Sequence, residues 1–392
     1  MSATAFSAID QVIDEAAVGA AERERRGEHP YALVRALARA GFGRLRVPTE
    51  YGGLGVDLPT LFELLRRAGR ADSNLPQIWR GHFTTVEILL RETDPAVRHR
   101  WLTAVGAGAV FGNAQTEPAA SAAAGPPTRV FADGTGERVV SGTKFYSTGA
   151  RFADFLRVAA VDDDGHRRFV VVDARDGGVR HVDDWDGVGQ RQTGSGTTVF
   201  TSVPVQPDGD IGRDETSLAG LDSFVQIVHL ANLAGIADNL VDETVTLVRG
   251  RSRTGRHALS QIAAEDPDVL AVIGRLHARR IAARSLLGYA ADRLQQAHRD
   301  DREESFATAY VETSAAQTAI VEAVLDAAAH AFDAGGSSAV RAPVGLDRHW
   351  RNARTLASHN PIVYKPRVVG DFFVNDVLPV SGYYTSAERT LS

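Results

Sequence analysis

The sequence has no cysteine, and its single methionine is Met1. Without thiols there is no disulfide, no cysteine-ligated metal and no thiol nucleophile. A chain of 392 residues would ordinarily carry several sulfur-containing side chains beyond the initiator. Two explanations stay open: a compositional bias of the lineage, since the chain is rich in Ala, Arg and Asp, or synthesis when sulfur is scarce. Also missing is an apolar run of about 18 residues, the length a membrane-spanning helix needs. The first twenty residues carry Asp10, Asp14 and Glu15 and no basic-then-apolar leader pattern, so a cytoplasmic protein is expected. Positive charge is not in excess either. Lys and Arg number 43 against 49 Asp and Glu, a net charge of −6. That gives no electrostatic basis for binding nucleic acid or an anionic membrane. Asp173, Asp183, Asp184 and Asp186 form no recognisable ligand set and read as turn residues; no metal site is expected.

What is present is the profile of a globular protein, with 44% hydrophobic and 23% charged residues. The length exceeds one core and fits two or three domains. The hydrophobic pattern changes twice. Over 1–109 it has helical spacing: Ile9, Val12, Ile13, Ala16 and Ala17 mark one stripe, and Tyr31, Val34, Leu37 and Ala38 a second. Asp57 is placed to cap a third helix, with Pro59 in its first turn. Over 110–212 short strand-like segments alternate with the turn signals Asp133-Gly134, Asp164-Gly165 and Asp176-Gly177-Gly178. The strands predicted are 110–116, 137–141, 155–161, 169–173 and 197–205. Over 213–392 long helices return. Asp266-Pro267 caps one whose core face is read as Leu270, Ile273, Leu276 and Ile281, and Gly335-Gly336 stops another. The fold class expected is α+β, mostly α: a helical domain, an antiparallel β domain, then a four-helix bundle.

Four segments give this order a family resemblance. Asn113-Ala114-Gln115-Thr116-Glu117-Pro118 resembles the xxTEP segment of acyl-CoA dehydrogenases. The stretch from Gly142 to Gly149, with Lys144, Tyr146 and Thr148, resembles their K-x-W-x-T segment. The stretch from Gly187 to Thr197, ending in Val203-Pro204, resembles the strand pair that closes their β domain. The stretch from Leu346 to Thr355 resembles their penultimate bundle helix. All four occur in family order, and the resemblance spans essentially the whole chain. A dehydrogenase of this family takes the proton α to a thioester with a glutamate beyond that helix. Here the segment reads Leu356-Ala357-Ser358-His359-Asn360-Pro361 and has no carboxylate. Asp238 and Glu243, which an earlier helix offers, read as solvated face residues. With Arg351, Arg354, Thr355, His359 and Pro361, the segment is instead similar to the R-x-x-R-T-x-x-x-H-x-P pattern of the family's flavin monooxygenase branch. Dibenzothiophene monooxygenase and the sulfur-assimilation monooxygenases belong to that branch.

The resemblance implies an enzyme that receives reduced FMN, rather than FAD, from a separate NAD(P)H:flavin reductase. It implies that oxygen is bound as a flavin C4a-hydroperoxide and that one atom passes to a small organosulfur substrate. It also implies a homotetramer. Carried over position by position, Gln115 and Thr116 meet the pyrimidine edge of the flavin, Ser147 and Thr148 lie near N5, and Tyr146 replaces the family Trp. His359 manages the proton of the hydroperoxide, an imidazole of near-neutral pKa being suited to that task, while Asn113 and Ser147 steady it. A second histidine usual three residues earlier is Leu356 here. Arg251 and Arg253 fall where relatives bind the phosphate, possibly across a subunit boundary, and Gly335 and Gly336 where the bundle approaches the cofactor tail. For the arginines a solvated turn stays open as the alternative, and for the glycines a plain helix stop. His82 reads either as lining a substrate pocket or as buried packing. Two other functions remain: an FAD-dependent acyl-CoA dehydrogenase or oxidase with a carboxylate base from elsewhere, and a non-catalytic flavin-fold binding protein.

Overall fold

The computed structural model describes residues 2–117, 127–212, 219–252 and 254–379. Six helices come first: α1 (Ser2–Ala17), α2 (Ala20–Arg26), α3 (Tyr31–Ala40), α4 (Leu58–Ala71), α5 (Asn74–Leu90) and α6 (Pro95–Gly106). Asp57 caps α4 by accepting the Thr60 N–H at 2.9 Å, and Gly41 ends α3 in the left-handed conformation. α5 shows no amphipathic stripe to a sequence reader because it is buried on every side, from Asn74 to Leu89.

Seven strands follow: β1 (Phe111–Ala114), β2 (Arg129–Ala132), β3 (Arg138–Lys144), β4 (Phe155–Val161), β5 (Arg167–Asp173), β6 (Val179–His181) and β7 (Thr198–Asp210). Pairings run β4–β2–β3–β7–β5 and back to β4, so the sheet closes into a small barrel. Val130, Val140, Leu156, Val158, Val170, Val172, Phe200 and Val203 form its core. The sheet is mixed rather than wholly antiparallel. β1 runs parallel to β4 in register Phe111↔Phe155, and β2 meets β4 in parallel at Arg129↔Val161. The long connection from β1 to β4, which passes through the β2–β3 hairpin, supplies the crossover that a parallel pair requires.

The last region has three long helices, α7 (Leu221–Arg249), α8 (Pro267–Asp300) and α9 (Glu303–Gly335), and two short ones, α10 (Asp347–His359) and α11 (Lys365–Asn375). α10 is the expected fourth bundle helix and α11 an addition to it. Asp266 caps α8 through the N–H groups of Asp268 and Val269, but the apolar stripe is offset from the one read in the sequence. Val272, Leu276, Ala283 and Leu287 are buried, while Leu270 is 51% exposed and Ile281 45%. An Ala-rich helix lets small residues make the close contact and leaves larger ones outside. α7 is long and apolar enough to cross a membrane by composition, yet 94% of its most apolar window is buried in the protein.

Asp238 is not solvated, and Glu243, though partly exposed, is tied into ion pairs. Asp238 is completely buried on α7 and pairs with Arg66 of α4 and, at 2.6 Å, with Arg284 Nε of α8. Glu243 holds Arg348 and, at 2.8 Å, His349 Nε2 of α10. Burial alone would raise the Glu243 carboxyl, but the His349 and Arg348 contacts outweigh it and bring its pKa down to about 2. A depressed carboxylate stabilises the fold fully above its ordinary 4.5 and loses that contribution as pH falls toward 2. Glu243→Gln is therefore expected to lower the urea midpoint at pH 7, with the gap to wild type closing as pH falls from about 4.5 toward 2. A gap of constant size through that window would exclude Glu243 ionisation as its cause.

Candidate active site

A cavity of about 630 Å³ opens where α5, the barrel and α10 meet. From α5 come Gln77, Arg80, Gly81 and Thr84, whose spacing of three, four and seven puts them on one face of the helix. Asn113 comes from β1, and Gln115 and Thr116 from the residues after it. Thr116 is held by a bridge to Phe145, whose N–H donates to the Thr116 carbonyl at 2.9 Å. Tyr146 and Thr148 follow β3. Trp185, Val188, Gln190 and Ser195 come from the loop between β6 and β7, and Arg354, Thr355, Leu356, Ser358 and His359 from α10.

The wall on the barrel side has an aromatic corner and a chain of hydroxyls. Tyr146 has φ 54, a left-handed conformation costly for a bulky side chain. This conformation sets its ring edge-on to Trp185 with centroids 5.8 Å apart. Thr193 Oγ1 donates to the Gln190 carbonyl at 2.7 Å. Its oxygen is then the acceptor for Ser195 Oγ at 2.7 Å, and Ser195 in turn accepts from Thr148 Oγ1 at 2.7 Å. Since each hydroxyl has one proton, this direction leaves the lone pairs of Thr148 available to an N–H in the cavity. The loop carrying these groups is pinned to α10. Gln190 N–H donates to Asn352 Oδ1 at 2.6 Å and Arg351 donates to the Val188 carbonyl at 3.1 Å. A Cβ on Gly189 would lie 2.3 Å from the Arg351 carbonyl oxygen. Gly189→Ala must displace this loop, at a cost of about 1–3 kcal/mol. Flavin affinity is expected to fall roughly five- to a hundredfold, as fluorescence titration would show; unchanged affinity would mean the loop does not touch the cofactor.

His359 sits at the end of α10, facing the cavity. Arg80 donates to its Nε2 at 3.1 Å. A guanidinium only donates, so Nε2 is the acceptor and the proton of the neutral ring is on Nδ1. The ring is open to the cavity, yet its withdrawal from bulk water there, with the Arg80 charge next, pushes its pKa down to about 3. The ring is therefore a neutral hydrogen-bonding group near pH 7. This departs from the near-neutral titration expected of it, and the cause is the ring's seat in the cavity, away from bulk water, together with a cation that no motif announced. Beneath it lies His229 of α7, ring centroids 4.6 Å apart.

The cavity thus gathers Asn113, Gln115, Thr116, Tyr146, Thr148 and His359. Ser147 is not on its lining: the side chain is buried, and its hydroxyl has no partner among the described residues. Arg251 and the Gly335-Gly336 turn meet each other, Arg251 donating to the Ala334 carbonyl at 2.5 Å, but they do not line the cavity. Gln317 of α9 reaches the Asn360 carbonyl at 3.2 Å. Gly335 is eighteen residues further along α9, about 27 Å along the axis. Arg253 lies outside the described residues. His82 is packing: it is fully buried, its Nε2 donates to the Gly43 carbonyl at 2.7 Å, and its Nδ1 accepts the Phe111 N–H at 3.1 Å. Gln77, Arg80, Thr84 and Trp185 were missed. The first three sit on a helix without a stripe; Trp185, alone in a polar loop, was the one available signal. Among the described residues no Asp or Glu lines the cavity.

Three family models match in succession: acyl-CoA dehydrogenase N-terminal domain over residues 6–109, middle domain over 112–203 and C-terminal domain over 227–363. The chain belongs to the acyl-CoA dehydrogenase family. Within that family it is 31% identical over 386 residues to dibenzothiophene monooxygenase of Rhodococcus erythropolis, covering 93% of this chain and 91% of the relative. It is 28% identical over 385 residues to the probable FMNH2-dependent monooxygenase SfnC of Pseudomonas putida, covering 93% of each. The crystal structure of FMN-bound TdsC from Paenibacillus sp. A11-2 superposes with a TM-score of 0.88 at 29% identity, over 97% of this chain and 100% of that one. Both relatives carry monooxygenase names, and the family fold is here joined to a cavity that has no carboxylate among the described residues.

Proposed function

We propose that this chain is a two-component flavin monooxygenase that takes reduced FMN from a separate reductase, uses O2 and oxygenates a small organosulfur compound. One observation carries the choice within the family. The cavity offers a histidine, two arginines and amides but, among the described residues, no carboxylate to abstract a proton from an acyl thioester. The relatives with monooxygenase names, one of them acting on dibenzothiophene, supply the substrate class.

The residues present fit FMN. A flavin ring is flat and apolar with a polar edge; the Tyr146–Trp185 corner offers it faces to pack on, and Gln115, Thr116 and Thr148 offer edge partners. Bound and reduced, FMN would supply the electrons that activate O2. The protein's share is positioning. Thr148 presents lone pairs to a ring N–H. Neutral His359 accepts from Arg80 and so fixes that guanidinium at the cavity wall, where the Asn113 amide offers a further hydrogen bond. Arg251 and the Gly335-Gly336 turn serve the phosphate from a neighbouring copy, which accounts for their distance from the cavity of their own chain and agrees with a homotetramer.

The test mixes anaerobic protein and FMNH2 with oxygenated buffer in a stopped flow, with and without dibenzothiophene, a sulfone or an alkanesulfinate. The expected result is a long-lived absorbance characteristic of oxygenated reduced flavin whose decay quickens with one substrate, and a product heavier by one oxygen. Tightly held FAD bleached by an acyl-CoA would overturn the proposal in favour of a dehydrogenase.

A further inference from the structure

His229 is a buried titratable group for which the oxygenation chemistry has no use. It is 1% exposed, and neither ring nitrogen has a partner among the described residues. A neutral imidazole has one donor and one acceptor nitrogen, and burying both unpaired is costly. Phenylalanine or leucine could fill the same place without that cost, so packing alone does not account for a histidine.

The surroundings repeat the anomaly. Asn360 ties three helices together: its Nδ2 donates to Gln226 Oε1 of α7 at 2.7 Å, and its carbonyl accepts from Gln317 Nε2 of α9 at 3.2 Å. His229 is one turn from Gln226. Thr313 and Ser314 are one turn from Gln317. The Thr313 and Ser314 hydroxyls and Gln317 Oε1 also lack partners, and each of these side chains is 1% exposed. Polar atoms so gathered are the setting in which buried water is retained. His359 shows the complementary need. With Nε2 accepting from Arg80, its proton is on Nδ1, and the acceptor there is Asn360 Oδ1 at 3.4 Å, long for an N–H···O bond.

We infer that His229 is a positioning residue for His359, holding a water at the shared edge of the two rings that accepts the Nδ1 proton and, with Arg80 on Nε2, fixes one tautomer and one ring angle. This rests on His359 belonging to the active site. The water is oriented in turn by the acceptor nitrogen of His229, and the remaining polar atoms on α9 anchor it to a small internal hydration site.

The test uses the FMN-loaded protein with 15N-histidine and the variants His229→Phe and His229→Gln. Wild type is expected to give the Nδ1–H pattern for His359 and His229→Phe a mixture of tautomers. Turnover of His229→Phe is expected to fall at least tenfold with KM and FMN affinity little changed and thermal stability equal or higher. His229→Gln, which can still hold the water, is expected to retain more turnover than His229→Phe. An unchanged His359 spectrum and turnover in His229→Phe would overturn the inference. So would equal impairment of both variants with unaltered tautomer signals, since only the ring's shape would then matter. Should His229→Phe fail to fold, the His229→Gln spectrum and turnover decide: wild-type tautomer with retained turnover supports the water, a tautomer mixture overturns it. The spectrum needs no turnover. A wild type that oxygenates nothing therefore counts against the function alone.

Discussion

Replacing His359 with alanine is expected to leave a folded protein that binds FMN and to cut substrate oxygenation by about 10²- to 10³-fold, the loss seen when one preorganised hydrogen-bonding group is removed from a reacting centre. Oxygen uptake driven by reduced flavin should continue and end as hydrogen peroxide, because the flavin's own reaction with O2 does not require the ring. The site explains why the effect is large. His359 is held in one tautomer by Arg80 at 3.1 Å, is pressed to a pKa of about 3 by its seat away from bulk water and by that charge, and is supported from below by His229. A neutral ring that fixes the Arg80 guanidinium at the cavity wall costs no reorganisation when the oxygen reacts. One consequence concerns pH: with a pKa near 3 the ring does not change charge between pH 5 and 9, so the rate should show no ionisation of His359 in that range. Product analysis beside peroxide measurement checks both statements. Wild-type coupling in His359→Ala, or a rate break near pH 6.5 that disappears in the variant, would show that the ring acts otherwise.

Asp238→Asn is expected to destabilise the fold by about 3–5 kcal/mol. The carboxylate is fully buried and faces two guanidinium groups, Arg66 from α4 and Arg284 from α8. Neutralising it leaves two cations drawn toward a centre that no longer attracts them. The damage lies between the N-terminal helices and the bundle, since α4 packs along α7 with Phe62 against Phe224. The check is a urea midpoint on FMN-free protein, with a second variant in which Asp238, Arg66 and Arg284 become Leu, Met and Met. Replacing a whole buried ionic cluster by apolar groups is often neutral or stabilising, so the triple variant should regain much of the loss. An unchanged midpoint in Asp238→Asn would mean that water already compensates this pair.

How far the sequence speaks for the molecule depends on what each residue reports. Caps and turns were legible because their chemistry is local: Asp57, Asp266 and Gly41 do in the structure what their types imply. The barrel side of the cavity was legible for the same reason, as Gln115, Thr116, Tyr146 and Thr148 lie in two short segments joined by the Thr116–Phe145 bridge. α5 was silent because a helix buried on all sides has no period to read. Arg80 therefore went unseen although it sets the state of His359. The face of α8 was misread because Leu270 and Ile281 look like core and point outward. Asp238 and Glu243 look like surface, yet Asp238 is fully buried and both are held in ion pairs whose partners lie on other helices, far away in the chain.

The cavity wall is drawn from α5, β1, the turn after β3, the loop before β7 and the end of α10, a span from Gln77 to His359. No fragment of the chain can assemble it, so the cofactor recognises only the completed fold. Binding and folding are thereby linked equilibria. Free FMN at a hundred times its Kd adds about 2.7 kcal/mol to the stability of the native state, and a cell short of flavin would hold this protein closer to its unfolding threshold.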